Sequence, residues 1–161
     1  MTQLVTSGLL WFSAIGCGLL AGVYFAFSTF IMTALGRLDQ VHSVPAMNAI
    51  NSTILHSLFM PLFFATTLAS LVLAVMTLFR WGEPGVTAML AGGLIYVAGM
   101  FLCTMFFNVP LNNALATVDA ASTLAASVWA RYLRDWTLWN HVRTISSTAA
   151  CTLYIVALAA K

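Results

Sequence analysis

The chain has 161 residues, of which 61% are hydrophobic and 6% charged, against about 25% charged in a typical soluble domain. That balance excludes a water-soluble globular domain, and a formal net charge of +2 is too small for the basic footprint of a nucleic-acid binder. Cys17, Cys103 and Cys151 fall inside apolar runs without metal-type spacing, and read as small buried hydrophobes.

No charged side chain occurs in residues 1–36, 58–79 or 85–118, and residues 145–160 form a further uncharged run. About 20 apolar residues cross the hydrocarbon of a bilayer, so the reading is an all-α polytopic membrane protein: one domain over residues 1–161, with four spans. The first covers about 4–35. It lacks the positive n-region of a secretory signal and its apolar run is too long for one, so it is expected to be a retained helix. Gly18 and Gly22 give a small-xxx-small spacing for close helix approach. Ser13, Cys17, Ala21, Tyr24 and Ser28 recur at three- and four-residue steps, one weakly polar face for the bundle interior. Tyr24 on that face can reach a pocket.

Arg37, Asp39 and His42 lie in the first connection. Pro45 suits the first turn of a second helix, with Ser43 as its cap. That helix is expected to run from about 44 to 79, with its spanning part at 52–79 and a kink at Pro61. Its first dozen residues, including Asn48, Asn51 and His56, project beyond the hydrocarbon. A polar turn at 80–84 with an interfacial Trp81 follows. The third span, about 85–107, is expected to stop abruptly at Asn108-Val-Pro-Leu-Asn112. Residues 114–135 then read as an interfacial helix covering one end of the bundle, and the fourth span covers about 136–160. Lys and Arg near the span ends favour a cytoplasmic face for the long connections by a margin of one, which leaves orientation open. Nothing in the pattern sets an oligomeric state.

Counting about 20 residues back from Phe79 and from Ala160 places the span boundaries near His56–Pro61 and near His141. Asn51, His56, Asn108, Asn112, Asn140, His141 and Arg143 should therefore share one layer. In the last helix Trp136, Asn140, Arg143, Ser147 and Cys151 form one stripe, with His141, Thr144 and Thr148 beside it, and either stripe can face inward. Intramembrane ionisable residues are functional-site candidates by default. The plainer readings are that Arg143 snorkels or pairs with Asp135, that the histidines are structural, and that Asn108 and Asn112 cap a broken helix end. Aromatics crowd the same level, so a pocket there would suit a flat hydrophobic aromatic ligand.

Four blocks carry a resemblance: GLLAGVYFAFSTF (18–30), Asn51 with LFMPLFF (58–64), NVPLNNALA (108–116) and W-x-x-Y-x-x-x-W-x-x-W-N-H-V-R-T (129–144). The sequence resembles the anthrone oxygenase-like family of small four-helix membrane proteins along essentially its whole length. The matching motif positions are Asn108, Pro110, Asn112, Trp139, His141 and Arg143. The resemblance implies an integral membrane protein of the bacterial inner membrane. It also implies an activity, since characterised fungal members convert anthrones to anthraquinones with dioxygen. In that reading His141 or His56 is the general base. Arg143, with Asn108 or Asn140, stabilises the enolate, while Asn51, Asn112, Trp139 and Tyr24 contact the substrate. The carbanion then meets dioxygen without an organic cofactor, and no metal site is assigned. Two other readings stand beside it. His56 and His141, with His42, could ligate copper or haem, although no HxxH spacing exists. Alternatively, the chain is a non-catalytic membrane subunit that binds a lipid, a quinone or a partner protein.

Overall fold

Hydrocarbon offers no partner for backbone polar groups, so a chain this apolar satisfies them within helices. The computed structural model describes residues 2–160, and no strand occurs among them. The helices are α1 (Gln3–Leu35), α2 (Gln40–Leu55), α3 (Phe59–Phe79), α4 (Val86–Ala116) and α5 (Ala125–Ala159). All but α2 are long and apolar enough to cross a membrane. The pattern is inside-out relative to a soluble bundle. Ser13, Thr66, Ser70 and Ser147 are fully buried, whereas Leu68 and Ile145 are more than 60% exposed on the outer surface.

In the bundle α1 packs against α3 and α5, and α4 packs against α3 and α5. A first core of Leu10, Leu20, Tyr24, Leu73, Tyr96 and Tyr154 fills its centre. The small-residue face foreseen on α1 does point inward, with Ser13, Cys17, Ala21 and Tyr24 all buried. The close approach, however, is made at Gly16, where any Cβ would collide with Thr66 of α3, while Gly22 faces open space. Gly99 of α4 similarly has no room for a side chain against Ser146 of α5. Gly85, with φ +78°, turns the chain into α4 in a conformation that L side chains rarely adopt.

Three expectations about the connections are corrected. First, α2 and α3 are separate helices, not one kinked at Pro61. In a continuous helix the Pro61 ring would meet the carbonyl of Ser57. Instead the chain breaks at 56–58, where Ser57 Oγ donates to the Ile54 carbonyl (2.8 Å) and accepts from the Phe59 N–H (3.2 Å). Pro61 then falls in the first turn of α3, where its missing donor leaves no bond unmade. At the other end α2 starts earlier than Pro45 suggests. Asp39 is the cap, its Oδ1 accepting from the His42 N–H at 3.1 Å and lying 2.6 Å from His42 Nδ1. That side-chain bond from His42 holds the Asp39 carboxyl below its ordinary range. Ser43 sits one turn inside, its hydroxyl within reach of the Leu35 and Asp39 carbonyls.

Second, α4 does not stop at 107. It passes through two π-helical segments, Val97–Leu102 and Thr104–Asn108, and continues as α-helix to Ala116. Pro110 follows closely on the second π segment, whose wider turn accommodates the ring and the missing donor. Third, residues 125–135 are not a separate interfacial helix. They are the first turns of α5, which runs unbroken for 35 residues, or about 52 Å at 1.5 Å per residue. That exceeds the roughly 30 Å hydrocarbon thickness. The excess turns of α5, the ends of α1 and α4, and α2 build a cap around a second core of Met32, Val44, Met47, Leu115, Trp129 and Tyr132.

Candidate functional site

A cavity of about 350 Å³ lies between the cap and the bundle, with lining residues from all five helices, a volume within the range of small-molecule sites. Its walls are mostly apolar: Phe27 from α1, Met47 from α2, Phe59 and Phe63 from α3, Trp136 from α5. Phe59 meets Tyr24 edge-on at 6.0 Å and stacks with Phe63 at 5.9 Å, and Phe27 meets Trp136 edge-on at 5.6 Å. Leu55, Phe64 and Met105 line the cavity and are also exposed on the apolar outer surface. The mouth therefore opens among residues that suit contact with lipid.

Arg143 is the charged residue in this lining and is only 5% exposed. Its guanidinium lies 4.4 Å over the Tyr24 ring and 5.0 Å from the Trp136 ring, and one terminal nitrogen donates to Asn140 Oδ1 at 2.7 Å. Among the described residues no carboxylate pairs with it. Asp135, the partner suggested by sequence, is taken by Arg134 (2.8 Å) and Arg131 (3.4 Å). Arg143 Nε has no hydrogen-bond partner. Burying an unpaired cation costs several kcal/mol. Two cation–π contacts of about 2 kcal/mol each and the bond to Asn140 offset that cost without cancelling the charge, so an anionic group in the cavity would be attracted to it.

Asn140 holds that arginine. Its Nδ2 donates to the Tyr24 carbonyl and to Ser28 Oγ, both at 2.7 Å. Thr144 Oγ1 donates to the Asn140 carbonyl at 2.9 Å, so in the 3.0 Å contact between the two hydroxyls Ser28 is the donor. The bonds close a ring that ties α5 to α1, just where a π turn, Phe27–Ile31, widens α1.

A second polar group lies towards the cap. Tyr132 donates to Asn112 Oδ1 (2.8 Å) and accepts from Asn51 Nδ2 (3.4 Å). Asn48 Nδ2 donates to the Leu115 carbonyl at 3.4 Å and leaves its Oδ1 unpartnered. Asn48, Asn51, Asn112 and Asn113 all line the cavity. Tyr132 is stacked between Trp129 (5.6 Å) and Trp136 (5.9 Å), which fixes the phenol that orients the two amides.

Of the residues singled out by sequence, Tyr24, Asn51, Asn112 and Arg143 line the cavity, and Asn140 stands directly behind it. Asn108 is buried, but it caps no helix end; it donates to the Trp136 carbonyl at 3.2 Å. Trp139 is half-buried on the other side of α5 and stacks on Phe107 at 3.6 Å. His141 is exposed, as is His56 at the α2–α3 break, and neither lines the cavity. Among the described residues no three His, Cys, Asp or Glu side chains gather into a group that could hold a metal ion. Phe27 and Met47 went unassigned by sequence, and Tyr132 and Trp136 were given no individual role there. Extending the Trp136–Arg143 stripe back by one turn would have found Tyr132.

A family model described as Anthrone oxygenase matches residues 47–153. The chain belongs to the anthrone oxygenase family. No curated protein and no solved structure matches it. The family match begins at Met47, the first α2 residue in the cavity wall, and takes in every lining residue from α2 to α5. From α1, outside the match, come Val23, Tyr24 and Phe27. The part of the chain shared with the anthrone oxygenase family is thus most of the cavity, including Arg143 and its Asn140 partner.

Proposed function

We propose that the protein oxygenates a flat, lipid-soluble phenolic or anthrone-like ketone inside this cavity. The observation that carries the reading is Arg143: a buried guanidinium on an aromatic wall, held by an amide and paired with no carboxylate. A cation so placed stabilises an oxyanion that forms beside it in a site of low dielectric. Membership of the anthrone oxygenase family supports the same chemistry.

In this reading the substrate reaches the mouth from the bilayer, past Leu55, Phe64 and Met105, and lies between Phe59, Phe63 and Trp136 with its carbonyl oxygen towards Arg143. Loss of one proton from the activated CH₂ gives an enolate whose charge rests on that oxygen. Among the described residues no imidazole or carboxylate lines the cavity. The proton is therefore assigned to His56, next to the lining residue Leu55 at the exposed helix break, by way of water at the mouth. His141, on the exposed side of α5, is given no part in proton transfer. The electron-rich carbon adds dioxygen, and the resulting peroxide anion takes back a proton. Loss of the remaining C–H proton with cleavage of the O–O bond then forms the new carbonyl and releases one water. The balance is CH₂ plus O₂ to C=O plus H₂O.

The test is oxygen uptake by membranes containing the protein, supplied with anthrone. Wild type should consume one dioxygen per anthraquinone formed, and Arg143→Gln should lower kcat/KM by about 100-fold, the scale of losing an oxyanion donor. Saturable binding of anthrone with no dioxygen consumed would instead make the protein a binding subunit.

A further inference from the structure

Asn140 has no donor left for a ligand, and its oxygen already serves Arg143. An amide offers two N–H donors and a carbonyl oxygen. Here the donors go to the Tyr24 carbonyl and Ser28 Oγ, and the oxygen accepts from Arg143, each at 2.7 Å. Asn140 is fully buried and does not line the cavity. It stands one turn before Arg143 on α5, and its own carbonyl closes the ring through Thr144 and Ser28. Among side chains of this size, Asp would neutralise the guanidinium and Leu would leave it without its hydrogen-bond acceptor. An amide alone grips an arginine without cancelling its charge.

We propose that Asn140 is a positioning residue, which acts through Arg143 to keep an un-neutralised guanidinium aimed at the ligand's oxyanion. The inference rests on the oxyanion role given to Arg143 above. Its distinct content is that charge availability at the site is set by a neutral amide behind the wall, anchored on α1.

The experiment uses the full-length protein in lipid nanodiscs with 1-naphthol as probe, since naphthol and naphtholate differ in absorption and emission. An un-neutralised guanidinium charge favours the ionised form. Naphthol bound to wild type should therefore ionise about one pH unit below naphthol in empty nanodiscs. Asn140→Asp supplies a carboxylate to Arg143 and should abolish that shift. Ser28→Ala withdraws one acceptor from Asn140 in a helix that tolerates alanine, and should reduce the shift. An undiminished shift in Asn140→Asp, or in Ser28→Ala should Asn140→Asp fail to fold, overturns the positioning role while leaving Arg143 its own. Absence of any shift in wild type overturns both.

Discussion

A charge kept out of water without a counter-charge should be more costly to the folded state than an apolar group of similar length. Arg143 meets that description, so Arg143→Met should leave thermal unfolding in detergent unchanged or move it upward, with oxygen uptake from anthrone lost. A large fall in stability would mean that the guanidinium serves packing rather than chemistry. The same residue shows what sequence could and could not reveal. Its stripe was legible from three- and four-residue spacing: Trp136, Asn140, Arg143 and Ser147 are all buried. The choice between that stripe and the neighbouring one with His141 was not, because both are polar over the turns considered. The longer run settles it physically. Trp129, Tyr132, Trp136, Asn140, Arg143, Ser147, Ala150 and Tyr154 are buried along one line, while His141 stands off it.

Between helices, contact is governed by where a Cβ fits. Gly16→Val forces α1 away from Thr66 and should cost about 1–3 kcal/mol, the range for overpacking. Gly22→Ala faces open space and should be neutral or stabilising by up to about 1 kcal/mol. Paired thermal melts in one detergent compare them directly. Sequence spacing pointed to Gly18 and Gly22 because small-xxx-small reads only separation along one helix and is blind to the partner's side chains. Pro61 and Pro110 were misread for a related reason. A proline signals a lost donor, but not whether the chain answers with a break, as at 56–58, or with a change to π register, as in α4. The cap of α2 gives a pH test. The Asp39 carboxyl is held below its ordinary range by His42, so its contribution is present above the usual carboxylate pKa. It is lost as pH falls through the lowered value of the folded protein. Wild type and Asp39→Ala should therefore differ in melting temperature near pH 7 and converge as pH falls below the ordinary carboxylate range.

At the scale of the molecule, four long apolar helices follow from hydrophobic run lengths alone although their ends do not, and the convergence of Asn51, Asn112 and Arg143 follows from counting along them. That the long connections cover one end of the bundle was legible too, but the way the cap is built was not. Its residues are neither apolar enough to read as spans nor polar enough to read as loops, and α5 passes through both settings without a break. With α2 at one end of the bundle and the Arg80 turn at the other, Leu38→Cys and Trp81→Cys in proteoliposomes should react with an impermeant maleimide from opposite sides. Labelling of both from one side would dismantle the four-span arrangement. The unneutralised arginine also bears on timing. In the proposed reaction the group beside Arg143 is an enolate only between deprotonation and oxygenation and leaves as a neutral ketone, so the attraction that held the intermediate disappears with the chemistry that consumed it. Product would then be shed to the bilayer without any moving part, and catalysis would resist product inhibition for as long as Arg143 stays unpaired.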